Sequence, residues 1–312
     1  MKAVRFFDYG GPEVLRYDDV DRPRPSAGQV LVRVAATSFN PVDAAIRGGY
    51  MQEVAPLTLP HTPGIDVAGS VEEVGDGVAS WSVGDYVIAL LPTIADEGAA
   101  AEFVVVPAHV LTRAPTSIPL ADAAALPCTA LTAWQALFEH ADVRAGQRVL
   151  INGAGGGVGG YAIQMAKRAG ATVVATASAR SRDSVQAFGA DQIVDYTSTR
   201  LTDASITPVD ALLNLVFASE SDLTALSGLV APDGVLVSTT SSAADDPDRN
   251  VRGMCMFVRS DADQLAAIVD RIDRGDLRVD VSGRYPLSDI ALVHELGDDG
   301  KLRGKVVLLP AA

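Results

Sequence analysis

The segment RVLINGAGGGVGGYAIQMAKRAGA, residues 148–171, constrains the fold more than any other stretch of the chain. An apolar strand pattern runs into a glycine cluster, and the cluster runs directly into a helical pattern. Gly156, Gly157 and Gly159 let a backbone turn tightly, approach a pyrophosphate and pack a helix against a sheet. The helix N-terminus adds N–H groups and a partial positive charge. Ala154, Gly155, Gly156, Gly157, Val158 and Gly159 are therefore expected to form a phosphate-binding turn. Taken alone, such a turn is equally well an ordinary flexible loop. Its surroundings decide the matter.

After the turn, apolar strand patterns alternate with amphipathic helical ones. Strands are expected at TVVAT from Thr172, QIVD from Gln192, DALLNLV from Asp210 and GVLVST from Gly234. Helices are expected near residues 158–169, 181–188 and 221–230. This rhythm predicts a doubly wound parallel sheet that binds a dinucleotide at the carboxyl ends of its strands. The first third reads differently, as short strands between Gly and Pro: VRFF, QVLVRVAATS from Gln29, DVAGSVEEV from Asp66, DYVIALL from Asp85 and AEFVVV from Ala101. From Pro119 the pattern turns helical, in PLADAAAL and TALTAWQALFEH. The tail, with a helix near residues 261–274, a strand around Arg284, a helix near 288–296 and a closing KVVLL, is expected to rejoin the first domain. The fold class is α/β, with a β-rich domain of residues 1–118 and 262–312 and a Rossmann domain of residues 119–261.

Cofactor choice is read at the end of the second strand of such a domain, where an acid bonds the ribose of NAD and repels the extra phosphate of NADP. Here the strand ends VVATASARSRD, with Ser178, Arg180 and Arg182 ahead of the first acid, Asp183. A hydroxyl and guanidinium groups suit a 2′-phosphate, so NADPH is the expected cofactor. The bland alternative is that these arginines solvate a helix start. A formal charge of −14 disfavours nucleic acid and anionic membranes as partners. The N-terminus lacks a signal-like apolar stretch, and no run of about 18 apolar residues occurs. With two cysteines, Cys128 and Cys255, in no paired spacing, a cytoplasmic protein is expected.

NPVDAAIRGGY (residues 40–50), HTPGIDVAGSVEEVGDGVASWSVGDYV (61–87), LPCTALTAW from Leu126, the glycine turn and the terminal GKLRGKVVLLP together resemble the medium-chain dehydrogenase/reductase superfamily, in its zinc-free quinone oxidoreductase branch. The resemblance covers nearly the whole chain. It implies a GroES-like catalytic domain made from both chain ends, a central Rossmann domain, a cleft between them and a homodimer. Zinc-dependent members place cysteine at the position of Asn40, histidine at that of Ile65 and a further ligand at that of Cys128. One surviving thiol cannot make the three-ligand site that catalytic zinc needs. The lobe of four cysteines that holds structural zinc is also missing between Leu91 and Ala101.

Without a Lewis acid, hydrogen-bond donors must polarise the acceptor, which suits enones and quinones because conjugation spreads the developing charge. The resemblance points to Asn40 and Tyr50 as catalytic pocket residues, with Thr132 against the nicotinamide and Tyr196 near the adenosine phosphate. Tyr50 would donate a proton and Asn40 would fix the substrate oxygen or the cofactor ribose. Tyr50 reads equally well as a surface aromatic beside a glycine turn. Asp43 and Arg47 read at least as well as an internal ion pair or helix-terminal contacts holding the segment as they do as catalytic residues, and Asp66 is expected to be structural. One departure stands out: Asn214 occupies the place of an acid that many relatives follow with a glycine pair. The leading reading is an NADPH-dependent reductase of quinones or α,β-unsaturated carbonyls. Enoyl reduction in a biosynthetic pathway and a non-catalytic NADPH-binding redox sensor stay open beside it.

Overall fold

A computed structural model describes residues 1–53, 56–92 and 97–311. They form two compact units, Met1–Leu131 with Arg259–Ala312, and Thr132–Val258.

In the first unit, β1 (Lys2–Arg5) pairs antiparallel with β2 (Arg16–Asp19). The organising element is β3 (Gln29–Ser38), followed by a short helix α1 (Pro41–Arg47) and by β4 (Asp66–Val74), β5 (Tyr86–Leu90), β6 (Phe103–Pro107) and β7 (Thr112–Arg113). Apolar residues at alternate positions, Val30, Val32 and Val34 of β3 with Val104 and Val106 of β6, meet Val67, Val71 and Val87 in one core. The first third is thus not purely β. Helix α1 arises where Asn40 and Asp43 form a capping box, Pro41 opens the helix and Gly48 follows it.

The chain leaves this unit through α2 (Pro127–Trp134), within which the division falls. The expected junction at 118/119 lies earlier. The reason is chemical: residues Leu120–Ala125 form a 3₁₀ turn whose Ala123, Ala124 and Ala125 are fully buried, and the turn packs on β3 and β4. Only side chains this small let a turn lie so close to a sheet.

The second unit holds β8 (Arg148–Asn152), α3 (Gly157–Arg168), β9 (Thr172–Ala177), α4 (Arg182–Ala187), β10 (Gln192–Asp195), β11 (Val209–Asn214), α5 (Glu220–Ser227), β12 (Val230–Ser238) and β13 (Arg252–Cys255). All six strands are parallel, in the order β10-β9-β8-β11-β12-β13. Val149, Leu150 and Ile151, with Val173, Val174 and Ala175, are wholly buried, as a sheet covered on both faces requires. The chain winds outward from β8 to β10, then returns to the other side of β8 for β11, so the order reverses beside β8. In doubly wound sheets ligands bind at that reversal.

The tail rejoins the first unit as α6 (Ala262–Asp273), β14 (Val281–Pro286), α7 (Ile290–Asp298) and β15 (Lys305–Leu309). Strand β15 pairs antiparallel with β3 and parallel with β14, giving a sheet of order β14-β15-β3-β4-β5-β7. Among the described residues no helix is long and apolar enough to cross a membrane.

Candidate active site

The glycines after β8 divide by what each one's missing Cβ would meet. At Gly153 the backbone has φ +88°, a region that favours glycine. A Cβ on Gly159 would lie 2.5 Å from the Ala154 backbone, so its hydrogen is what lets α3 sit against the turn. A Cβ on Gly155 would lie 2.5 Å from Ser181 Oγ. Gly156 is different. Its φ of −86° and ψ of 176° suit any residue, and its Cβ would meet nothing closer than the Gly153 carbonyl at 3.4 Å. The protein itself has no need of a glycine there. Gly156 is also the N-cap of α3, and no side chain caps that helix. An exposed, uncapped helix start beneath a position kept bare fits the close approach of an anionic ligand.

The other proposed cofactor residues lie along the same edge of the sheet. Gly157 and Val158 open α3, Ala154 is buried, Ser178 follows β9, and Arg182 opens α4. Arg180 and Arg182 are exposed, and Tyr196, more than half exposed, follows β10. Three neighbouring strand ends thus carry all ten residues. The residues present fit a phosphorylated dinucleotide: a bare glycine cradle for the diphosphate and two guanidinium groups beside the next strand.

Of the proposed catalytic residues, Asn40 and Tyr50 belong to the first unit and Thr132 to the second. Tyr50 stands 87% exposed after Gly48 and Gly49, whereas Asn40 is buried. Thr132 lies on α2, past the division, and is buried. Asn40 belongs to an ionic network that the sequence pattern does not predict. Asp66, 0% exposed, accepts at Oδ2 from Ser38 Oγ at 2.5 Å, Asn40 Nδ2 at 2.8 Å and Lys305 Nζ at 3.2 Å, and at Oδ1 from the Cys128 N–H at 2.7 Å. Lys305, 3% exposed, also donates to Asn40 Oδ1 at 2.7 Å and to the Phe39 carbonyl at 3.0 Å, which uses all three of its protons. An ammonium only donates and a carboxylate only accepts, so the Asn40 amide has a single orientation, with one N–H left over. Burial and the nearby Asp66 push Asp43 up to about 7, against the pull of Lys305 and of the Asn40 and Gly64 N–H groups.

Zinc does not fit this donor set. Ile65 is a buried hydrocarbon, Asn40 is committed to a lysine and an aspartate, and Cys128 offers a single thiol. Among the described residues no group of three or more His, Cys, Asp or Glu side chains could hold a metal ion.

Arg47, read as a helix-terminal or ion-pair residue, is buried and joins α1 to α7. It donates to His294 Nδ1 at 2.9 Å and to Asp298 Oδ2 at 2.7 Å. A guanidinium only donates, so His294 carries its proton on Nε2. Desolvation and then the Arg47 charge hold His294 down at about 3. Between pH 6.5 and 3 the unfolded chain therefore binds a proton that the folded chain refuses, and stability falls as pH falls, by up to about 1.4 kcal/mol per unit. His294→Gln keeps an acceptor for Arg47 without titrating, so the acid-unfolding midpoint should move to lower pH. An unmoved midpoint in circular-dichroism titrations would remove His294 from the acid limb.

The comparisons with known proteins agree with this architecture. The family described as "Alcohol dehydrogenase GroES-like domain" matches residues 26–116, and the one described as "Zinc-binding dehydrogenase" matches residues 188–308. The rat (Rattus norvegicus) protein named quinone oxidoreductase is 34% identical over 99% of this chain and 98% of its own. The solved quinone oxidoreductase of Coxiella burnetii superposes with a TM-score of 0.90 at 31% identity, covering 99% of each chain. That of Escherichia coli, solved in complex with NADPH, gives 0.88 at 25% identity, covering 99% of this chain and 100% of its own.

Proposed function

Because the chain belongs to the medium-chain dehydrogenase/reductase superfamily, in its quinone oxidoreductase branch, we propose that it reduces quinones or α,β-unsaturated carbonyl compounds with NADPH. It is an oxidoreductase with a nicotinamide cofactor; the phosphorylated form and the acceptor class are our reading. Gly156 carries it, as a glycine that neither its backbone conformation nor its neighbours require, at an uncapped helix start one strand away from Arg180 and Arg182. When bound, the reduced nicotinamide supplies a hydride. The chain's own residues do the rest. Gly155 to Gly159 admit the diphosphate, Ser178 and the two arginines hold the 2′-phosphate, and Tyr196 borders the adenosine.

Toward the acceptor, the spare N–H of Asn40 is the donor we assign to the substrate oxygen or the cofactor ribose, held in one orientation by Lys305 and Asp66. Thr132 is assigned to the nicotinamide side. Tyr50, exposed and carrying a phenol, is the proposed proton donor. Such a donor is worth about 10² to 10⁴ in rate, so Tyr50→Phe should lower kcat about a hundredfold or more. A kcat within about twofold of the parent removes the role.

The test of the whole reading is NADPH oxidation measured against quinones, enones, enoyl thioesters and aldehydes, with zinc and chelator controls. Turnover of quinones or enones, indifferent to chelator, is expected. Preference for enoyl thioesters would make it an enoyl reductase. Binding without oxidation of NADPH would mark a redox sensor, and a chelator-sensitive rate would overturn the metal-free mechanism. Arg180→Ala should raise KM for NADPH about tenfold or more and leave that for NADH nearly unchanged, since the lost contact is charge-assisted. Equal effects on both would reduce the arginine to a solvated helix start. A homodimer is proposed as the working unit, which sedimentation equilibrium checks.

A further inference from the structure

A line of polar side chains crosses four neighbouring strands beneath the glycine turn. It starts at the Gly153 N–H, which donates to Thr176 Oγ1 on β9 at 2.8 Å. The Thr176 hydroxyl donates to Asn152 Oδ1 at the end of β8 at 3.2 Å, and Asn152 Nδ2 donates to Asn214 Oδ1 at the end of β11 at 2.9 Å. Asn214 Nδ2 then donates to the Val216 carbonyl at 2.8 Å and to Ser238 Oγ at the end of β12 at 3.3 Å. Asn214 stands in register with both Asn152 and Ser238.

The direction of this relay is forced. A carbonyl can only accept, so Asn214 must turn its amide nitrogen to Val216. Its oxygen then faces Asn152, which must answer with a nitrogen. Each donor feeds the next acceptor, an arrangement in which the bonds polarise one another. Thr176, Asn214 and Ser238 are essentially inaccessible to solvent. A sheet needs no polar groups there for its own cohesion, and burying them is costly unless every partner is kept. What the relay joins is two loops. It begins in the backbone of the glycine turn and ends in the backbone of the Leu215–Phe217 loop. Those loops touch: a Cβ on Gly153 would lie 2.7 Å from Val216 Cγ1 and 3.2 Å from Leu215 Cβ. Thr240 Oγ1 holds the same Val216 carbonyl from β12's side at 2.8 Å. The loop so pinned presents Val216 and Phe217 outward, Phe217 87% exposed.

We propose that Asn214 is a positioning residue for the nicotinamide half of the dinucleotide, setting the Leu215–Phe217 loop against the glycine turn through this relay. The inference rests on the reading of the glycine turn as the NADPH site. A dinucleotide at a doubly wound sheet spans the reversal in strand order, with one half on each side. Ser178, Arg180 and Tyr196 lie on the β9 and β10 side. The loops after β11 and β12 face the other half.

The test separates the two halves by using NADPH and the fragment 2′,5′-ADP, which lacks the nicotinamide. Binding of NADPH is read from nicotinamide fluorescence and binding of the fragment by calorimetry, for the parent, Asn214→Asp, Asn214→Leu and Thr240→Val. The aspartate sets a carboxylate oxygen against the Val216 carbonyl. Thr240 is at the surface, so that variant removes one bond to the loop without a buried change. For both Asn214 variants the NADPH Kd should rise about tenfold with loss of the fluorescence enhancement, while the 2′,5′-ADP Kd stays within about twofold; Thr240→Val should show the same split more weakly. The aspartate defect should shrink at low pH, where the protonated acid donates again, and the leucine defect should not. Unchanged NADPH binding in all three variants overturns the proposal. So does a parallel loss of both ligands, which would make the relay a purely structural brace. A parent that binds neither ligand would instead refute the NADPH site itself.

Discussion

Lys305→Met is expected to lower the melting temperature by about 6 to 20 °C. Among the described residues the lysine is the only cation bonded to the Asp66 carboxylate, which is fully buried. Removing one partner of a buried pair strands the other charge, at a cost of about 3 to 5 kcal/mol, and a domain of this size loses about 2 to 4 °C per kcal/mol. The Asn40 amide would lose its Oδ1 partner in the same step. Adding Asp66→Asn to that variant removes the stranded charge while keeping an acceptor for the Cys128 N–H, so part of the loss should return. If Lys305→Met melted within about 2 °C of the parent, the network would not hold the unit together, and the fixed orientation of Asn40 would lose its basis.

Two substitutions in the glycine turn should part company. Gly159→Val drives its Cβ into the Ala154 backbone, which has no flexible end to give way, so α3 must move off the turn. Overpacking of this kind costs about 1 to 3 kcal/mol or more, and a displaced helix start should weaken NADPH about a hundredfold with a lower melting temperature. Gly156→Ala has room and an ordinary backbone conformation. It should melt with the parent and yet bind NADPH about tenfold more weakly, because the added methyl meets only the ligand. Calorimetric titration together with thermal melts checks both. An alanine at 156 that binds like the parent would show that no ligand approaches there.

Much of the fold was legible because its signals are local. The alternation of Val30, Val32 and Val34 shows a strand with one apolar face turned to a core, and the unbroken apolar run Val149 to Ile151 shows a strand covered on both faces. The elements misplaced were those whose propensity and context disagree. Helix α1 follows β3 directly, inside a stretch that otherwise reads as strands and turns, and its capping box had to outweigh its shortness. The Leu120–Ala125 segment has a helical composition but settles as a 3₁₀ turn, because its small side chains fit closely over a sheet formed by strands far away in sequence.

The site divides in the same way. Nine of the ten residues proposed for the cofactor lie within short segments around one turn and the next strand end, so local pattern suffices to propose them. Asn40 was proposed from the resemblance but its ionic setting was not foreseen, and Lys305 was missed altogether. A lysine at the head of KVVLL has the ordinary reading of a surface charge, since lysine is almost never fully buried without a partner. That partner is 239 residues away. His294 and Arg47, 247 residues apart, were hidden for the same reason.

The chain alone determined the turn, its bare glycines, the guanidinium groups beside it and the order of strands and helices, because each depends on neighbours within a few residues. Folding alone decided what each buried polar atom touches: which amide faces Lys305, which carbonyl closes the line from Gly153, and whether Arg47 meets a carboxylate or an imidazole. Hydrogen-bond partners are chosen by which strands and helices lie side by side, and that adjacency is written in no single segment.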